Sequence, residues 1–289
     1  TNNTGYTSGE IDLEFIRTFV RDAITEDVGS GDHTSLSTIP KNSVQAAHLL
    51  VKDNGVIAGI ELASLIFHEV DESLKIQTIL SDGDFVKTGD VAFVVSGHAQ
   101  SITIAERLVL NCMQRMSGIA TTTWKMVELV NDLPVKIVDT RKTTPLFRYF
   151  EKWAVRIGGG HNHRFALYDM VLIKDNHVDY AGGTTNAIDS ARKYLNTEKL
   201  DLKIEIEVRN FQELQQVLDH GGIDRIMLDN FSVNDLRKAV SIVNKRFVTE
   251  ASGGITLETV RSYAETGVNE ISVGALTHSI KSLDLSLKA

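Results

Sequence analysis

The spacing of hydrophobic positions divides the chain into two parts. Leu13, Ile16, Val20 and Ile24 recur at helical intervals, which predicts an amphipathic first helix. Residues 45–101 instead contain short apolar segments separated by turn signals, with a helical pattern over residues 63–70. The first part is therefore predicted to mix strands and helices.

A long helical pattern over residues 104–130 follows, either as one helix or as two with a break at Ser117-Gly118. Beyond it, short apolar segments alternate with helical stretches, which is typical of a parallel sheet. Six such units favour a (β/α) barrel, with a doubly wound sheet as the alternative. The predicted strands are residues 135–139, 170–173, 203–208, 225–229, 248–252 and 270–274, and the predicted helices between them are residues 186–195, 212–218, 233–243 and 257–264.

Composition and charge narrow the function classes. The 289 residues suit one large or two medium domains, and the net charge of −8 argues against general binding of nucleic acid or an anionic membrane. No apolar run approaches the roughly 18 residues of a membrane span. Cys112 is the only cysteine in the sequence, so an intrachain disulfide is excluded. Residues 1–9 are polar and without periodicity, and we expect a frayed tail there.

Basic residues gather at the predicted strand ends. Arg141 and Lys142 follow the first strand, His163 and Arg164 precede the second, and Lys174 follows it. In an acidic chain, such a cluster indicates a strongly anionic substrate carrying phosphates or carboxylates. A solvated basic surface is the alternative interpretation.

Acidic residues and glycines occupy the other strand ends. Glu207 and Asp229 end consecutive strands, where paired carboxylates could hold Mg²⁺, face a developing cation, or pair with Lys142 or Lys174. The last two strands end in small residues whose backbone N–H groups suit a phosphate. These are Ser252, Gly253, Gly254, Ser272, Val273 and Gly274.

Eight runs in family order carry a resemblance to a known enzyme family. Among them are ERLVLNCMQRMSGIAT (106–121), DTRKTTP (139–145), EKWAVRIGGGHNHR (151–164), LIKDNH (172–177) and EASGGI (250–255). The chain resembles the quinolinate phosphoribosyltransferases, also called nicotinate-nucleotide pyrophosphorylases (carboxylating). The resemblance implies an α/β fold: an N-terminal α/β sandwich (1–112 with 276–289) and a C-terminal incomplete TIM-like (β/α) barrel (113–275). In the family, a C-terminal helix returns to the N-terminal domain.

The implied reaction transfers phosphoribose from phosphoribosyl pyrophosphate to quinolinate and removes CO₂. Its products are nicotinate mononucleotide and pyrophosphate, it uses Mg²⁺, and it is a step of NAD biosynthesis. Carried over by residue, the dicarboxylate-binding group is Arg107, Arg141, His163, Arg164 and Lys174. Lys142 lies between the substrates, and the small residues of the last two strand ends match the phosphate loops. The catalytic set is Lys142, Lys174, Glu207 and Asp229, of which Glu207 and Asp229 hold Mg²⁺ unless the substrate itself carries the metal.

The resemblance also implies an assembly. Arg107 matches a residue that reaches a neighbouring subunit's site, so a homodimer, or a hexamer built as a trimer of dimers, is expected. We also expect the protein to be cytoplasmic. One position departs from the family pattern, because Leu146 stands where the family usually has glycine.

Three other functions compete with this one. Family paralogues associated with molybdenum transport share several motifs, but the full dicarboxylate set favours quinolinate. A nicotinate-using phosphoribosyltransferase would need fewer bases, since its substrate has one carboxylate. A non-catalytic phosphate-binding barrel would gain nothing from two carboxylates beside a phosphate.

Overall fold

The computed structural model describes residues 12–289, and the predicted frayed tail lies outside the described residues. In chain order, the elements are α1 (Leu13–Val28), α2 (His33–Thr38), β1 (Val44–Val51), β2 (Gly55–Val56), α3 (Ile60–Val70), β3 (Lys75–Thr78), β4 (Phe85–Val86), β5 (Val91–His98), α4 (Ala99–Glu128), β6 (Lys136–Val138), α5 (Arg148–Ile157), β7 (Val171–Ile173), α6 (Asp175–Ala181), α7 (Thr184–Glu198), β8 (Ile204–Val208), α8 (Phe211–His220), β9 (Arg225–Asp229), α9 (Val233–Val243), β10 (Val248–Ser252), α10 (Val260–Ala264), β11 (Glu270–Ser272), α11 (Ala275–His278) and β12 (Leu285–Lys288).

The chain forms two compact units. The first takes in the described chain up to Trp124, together with Thr144–Gly159 and Ser279–Ala289, and the second comprises Lys125–Thr143 and Gly160–His278. Helix α4 runs through residue 112 without a break, so the predicted domain limit there does not coincide with the end of an element. The limits at 112 and 275 stay predictions. No helix within residues 12–289 is long and apolar enough to cross a membrane.

The first unit contains a four-stranded antiparallel sheet in the order β12-β1-β5-β3. The predicted first helix is confirmed as α1, which begins where the Asp12 carboxylate accepts the N–H of Phe15 at 3.0 Å and which buries Ile16 and Val20. The predicted second helix is confirmed as α3. Its buried Phe67 meets Phe93 of β5 edge to face, at 5.9 Å between ring centroids.

The chain returns to this unit as a strand, so the expected returning helix is wrong. Strand β12 pairs antiparallel with β1, placing Leu287 opposite Leu49. Leu283, Leu285 and Leu287 are all buried, and their spacing of two residues is the period of a strand and not of a helix.

Helix α4 is continuous across Ser117-Gly118, so the alternative of two helices with a break at this position is wrong. Both residues serve close contacts within the first unit. The Ser117 hydroxyl accepts the N–H of Ala58 at 2.9 Å. A Cβ on Gly118 would lie 3.0 Å from the Cα of Ser282, so the small residues admit neighbouring backbone and do not end the helix.

The second unit is a six-stranded sheet in the order β6-β11-β10-β9-β8-β7, and every pairing is parallel. All six predicted strands are confirmed to within a few residues. Strands β6 and β7, which would close a barrel, are its two edges, so the barrel is incomplete. Strands β7 to β11 lie side by side in the order of the chain, which excludes the doubly wound alternative, whose strand order reverses at its centre. Because all strands are parallel, their carboxyl ends share one rim of the barrel.

Candidate active site

One cavity of about 820 Å³ is lined by residues that follow the carboxyl ends of the barrel strands. It brings together the predicted site residues of the second unit: Arg141, Lys142, His163, Arg164, Lys174, Glu207, Asp229, Ser252, Gly253, Gly254, Ser272, Val273 and Gly274. Arg107 is an exposed residue of α4 in the first unit.

The turn after β6 fixes the main chain of the first two bases. The N–H of Lys142 donates to Oγ1 of Thr140 at 3.0 Å, and the N–H of Thr143 donates to the carbonyl of Arg141 at 2.9 Å. From α11, the Thr277 hydroxyl donates to the carbonyl of Lys142 at 2.8 Å. The lysine backbone is therefore held from both sides, while its side chain lines the cavity.

Arg141 and Arg164 are two cations on the same cavity wall. Burial lowers the pKa of Arg164, and the positive charge of Arg141 lowers it further. The buried Nε of Arg141 has no hydrogen-bond partner within residues 12–289. Two guanidinium groups that repel one another, one of them with an unused hydrogen-bond donor, are chemically suited to bind an anion.

The two carboxylates that the sequence paired act on each other in the structure. Burial raises the pKa of Glu207, and the charge of Asp229 raises it further, while Lys174 opposes the shift. Their oxygens are hard donors of the kind that Mg²⁺ prefers, so the pair fits this metal. The attraction of Lys174 is also present, so the metal-site and ion-pair interpretations are compatible.

The loop after β10 needs glycine for two reasons. Gly253 has φ of +106°, a conformation that side chains other than glycine rarely adopt. A Cβ there would also collide with Oδ1 of Asn230, which follows β9. The backbone of this loop therefore approaches the neighbouring strand end closely, as the predicted phosphate loop requires.

The sequence analysis did not identify a charged cluster of which two members, His163 and Glu250, line the cavity. Nε2 of His163 lies 2.8 Å from Oε2 of Glu205 and 3.1 Å from Oε2 of Glu250, and Nη2 of Arg225 lies 3.0 Å from the same Glu250 oxygen. A signal was present, because Glu205 and Glu250 lie inside the predicted strands 203–208 and 248–252. The sequence does not say which face of the strand they occupy.

The chain is similar to known proteins along nearly its whole length. Residues 32–117 match the model of the quinolinate phosphoribosyl transferase N-terminal domain, and residues 119–288 match that of the C-terminal domain. It is 50% identical over 281 residues to quinolinate phosphoribosyltransferase [decarboxylating] 2b, mitochondrial, of Nicotiana tabacum, covering 92% of this chain and 80% of that protein. It is 46% identical over 288 residues to the chloroplastic nicotinate-nucleotide pyrophosphorylase [carboxylating] of Arabidopsis thaliana, covering 94% and 82%.

Solved structures share the fold as well. The crystal structure of NadC from Streptococcus pyogenes superimposes with a TM-score of 0.92 at 36% identity, covering 98% of each chain. The nicotinate-nucleotide pyrophosphorylase of Francisella tularensis has a TM-score of 0.90 at 37% identity, covering 96% of this chain and 97% of that one. With both family domains matched in order and the barrel-rim cavity built as described, this chain belongs to the quinolinate phosphoribosyltransferase family.

Proposed function

We propose that the protein transfers phosphoribose from phosphoribosyl pyrophosphate to quinolinate and removes CO₂, giving nicotinate mononucleotide and pyrophosphate in NAD biosynthesis. The proposal rests on three groups of residues that line one cavity. They are a cationic wall (Arg141, Arg164 and Lys174), a carboxylate pair (Glu207 and Asp229), and the glycine loops that follow β10 and β11. Cations suit a dicarboxylate, loop N–H groups suit phosphate, and carboxylates suit a ribosyl cation. The names of the relatives state the same activity for those proteins.

The cationic wall orients the acceptor. Arg141, Arg164 and Lys174 would bind the two carboxylates of quinolinate, which points the ring nitrogen at the ribose. The ring nitrogen is a poor nucleophile, so this positioning carries much of the rate. The glycine loops after β10 and β11 would bind phosphate oxygens through backbone N–H groups.

The carboxylate pair serves the bond exchange at the ribose. As the ring nitrogen forms its bond to C1′, the bond from C1′ to pyrophosphate breaks and positive charge develops on the ribose. Glu207 and Asp229, which both line the cavity, would stabilise that charge. Mg²⁺, held by these two residues or carried by the substrate, would neutralise the departing pyrophosphate.

Decarboxylation follows from the charge on the product ring. Once the nitrogen is ribosylated, the pyridinium stabilises the electron pair that remains when the adjacent carboxylate leaves as CO₂. A proton from water then binds to that carbon and completes the product. Lys142 or Lys174 would hold the departing carboxylate in line, since both side chains line the cavity.

A direct assay tests the function. The protein is mixed with quinolinate, phosphoribosyl pyrophosphate and Mg²⁺, nicotinate mononucleotide and CO₂ are measured, and nicotinate is run in parallel. We expect product with quinolinate and none with nicotinate. The control variant Asp229→Asn should show strongly reduced turnover. Product from nicotinate without CO₂ would identify a nicotinate phosphoribosyltransferase instead. Binding without turnover would favour the transport-associated paralogue or a regulatory barrel.

Assembly and location are part of the proposal. A homodimer or a trimer of dimers would bring Arg107 of one subunit to its neighbour's site. Mixing the inactive variants Arg107→Ala and Lys142→Ala tests whether the site is shared in this way. Recovered activity in the mixture supports a shared site. The cytoplasm remains our proposed location, although two relatives carry mitochondrial or chloroplastic in their names. Fractionation of the source cells tests it.

A further inference from the structure

We propose that Asn230 is a positioning residue for the carboxylate of Asp229. Its side-chain amide holds one oxygen of that carboxylate, while the loop after β10 (Ser252, Gly253 and Gly254) fixes Asn230 itself. The inference rests on the proposed function, in which Asp229 is one of the two carboxylates that act at the ribose. Asn230 acts through Asp229 and not directly on the substrate.

The amide of Asn230 makes a short hydrogen bond to the neighbouring carboxylate. Its Nδ2 donates to Oδ2 of Asp229 at 2.6 Å, and no other hydrogen bond reaches that carboxylate within residues 12–289. A hydrogen bond to an ionised acceptor is roughly twice as strong as one between neutral groups. The amide therefore restricts the rotation of the carboxylate, and Oδ1 of Asp229 is left without a hydrogen bond in the residue that lines the cavity.

An amide suits this task because it carries no charge. A lysine or arginine in its place would neutralise Asp229, whose negative charge the proposed reaction uses opposite the ribosyl cation or Mg²⁺. Burial raises the pKa of Glu207 and the charge of Asp229 raises it further, so this charge acts within the cavity. Asn230 thus orients the carboxylate and leaves its charge in place.

The loop after β10 fixes Asn230 through both its main chain and its side chain. The N–H of Asn230 donates to the carbonyl of Ser252 at 2.9 Å. Its amide group lies where a side chain on Gly253 would stand, with Cγ 2.7 Å from the position of a Cβ there. Since the carbonyl end of the amide lies against Gly253, the nitrogen end turns towards Asp229. The predicted phosphate loop thereby sets the direction of the carboxylate.

A backbone role is the first competing explanation. Asn230 has φ of +54°, a left-handed conformation that asparagine adopts more readily than most residues. Glycine adopts it without strain, so the backbone alone does not call for an amide. Asn244, at the end of α9, provides a comparison. It has φ of +48°, and its side chain makes no hydrogen bond in the described part of the chain.

Direct binding of Mg²⁺ by Oδ1 of Asn230 is the second competing explanation. The ion would require the amide to turn over, so that oxygen and not nitrogen lies beside Asp229. That rotation would break the hydrogen bond to the carboxylate. The two explanations predict opposite effects of Asn230→Asp, because a carboxylate is a stronger ligand for Mg²⁺ but cannot donate to Asp229.

The hydrogen bond is tested by proton–nitrogen NMR of the wild-type protein labelled with ¹⁵N-asparagine. The side-chain signals of Asn230 are those lost in Asn230→Gly. A short hydrogen bond deshields the proton, so we expect one amide proton shifted downfield, with the shift lost in Asp229→Ala and retained when MgCl₂ is added. A shift that survives in Asp229→Ala, or one that collapses with MgCl₂, would overturn the proposal.

The effect on turnover is tested with Asn230→Gly and Asn230→Asp. Glycine keeps the backbone and removes the amide, so we expect kcat to fall about tenfold or more, with a KM for quinolinate within about threefold of wild type and a similar melting temperature. Aspartate also repels Asp229 and should cause a larger loss. Near-wild-type turnover in Asn230→Gly would overturn the proposal in favour of the backbone role. Half-maximal activation of Asn230→Asp at a lower Mg²⁺ concentration would overturn it in favour of a metal ligand.

Two controls separate positioning from general damage. Asn244→Gly and Asn244→Asp make the same changes at a left-handed asparagine without such a bond, and turnover should stay within about twofold of wild type. In an Asp229→Asn background, Asn230→Gly should cost less than about threefold, because the carboxylate that it orients is absent. A full tenfold loss in that background would overturn the proposal.

Failure of the proposed function would be visible separately. A wild-type protein that makes no nicotinate mononucleotide would refute the reaction, while the NMR experiment would still report whether Asn230 holds Asp229. In that event, the affinity for phosphoribosyl pyrophosphate with MgCl₂, measured by calorimetry, replaces kcat as the readout. We expect the same order, with wild type strongest and Asn230→Asp weakest.

Discussion

A Cβ atom on Gly274 would lie 2.9 Å from Cδ of Lys142, closer than two carbon atoms pack. Gly274 follows the last barrel strand, β11, and Lys142 follows the first, β6. The missing side chain at one strand end therefore leaves the space in which the lysine extends into the cavity.

Gly274→Ala should accordingly reduce turnover while leaving the fold intact. The added methyl group displaces a flexible side chain and not backbone, so we expect kcat to fall about tenfold or more with a melting temperature close to wild type. Introducing Gly274→Ala into a Lys142→Ala background is the control. A further large loss in that background would show that Gly274 does not act through Lys142.

Lys142→Ala itself should lower kcat by about two orders of magnitude or more, because the lysine lies between the two substrates in the proposed reaction. The fold should survive, since its backbone bonds to Thr140 and Thr277 do not involve the side chain. Steady-state kinetics and circular dichroism check both statements. Near-wild-type turnover would remove Lys142 from the mechanism.

Leu146→Gly should stabilise the protein. Leu146 has φ of +62°, where a side chain is strained, and it is 88% exposed, so little packing is lost on its removal. Relief of strain outweighs the greater freedom of glycine in the unfolded chain, and we expect a gain of up to about 1 kcal/mol. Leu146→Ala is the matched control, because alanine keeps the strain and should give no gain. A lower melting temperature for Leu146→Gly would contradict this account.

Arg115→Met should destabilise the first unit. The Glu151 carboxylate is 0% exposed, with Nε of Arg115 at 2.7 Å from one oxygen and the N–H of Thr144 at 3.0 Å from the other. Removing the guanidinium leaves a buried charge poorly compensated, which should cost about 2–3 kcal/mol in chemical denaturation. Adding Glu151→Gln should recover part of the loss. No recovery would mean that charge is not the cause.

Asp71 should contribute to stability in a pH-dependent way. The hydroxyls of Ser73 and Ser101 donate to its carboxylate at 2.6 and 2.7 Å, and these bonds lower its pKa well below the ordinary value near 3.8. A depressed folded-state pKa gives stability that is complete above the unfolded value and declines as pH falls below it. The stability difference between wild type and Asp71→Asn should therefore shrink below about pH 4. A constant difference from pH 6 to pH 2.5 would contradict this expectation.

Much of the barrel and its site followed from local pattern. The six parallel strands were predicted because each is a short apolar segment followed by a helical stretch. Their carboxyl ends meet at one rim in any such barrel, so residues at successive strand ends were expected to converge, and the cavity contains them. For the same reason, the sequence predicts that Glu207 and Asp229 lie side by side.

Other features depend on contacts between residues far apart in the chain, which no local pattern records. The returning segment is strand β12 because β1 offers it an edge to pair with. Glu205 and Glu250 form a buried support because β8 and β10 turn them towards His163. Sequence thus determined which chemical groups reach the barrel rim, and tertiary structure decided which of them face the substrate and which hold the others in place.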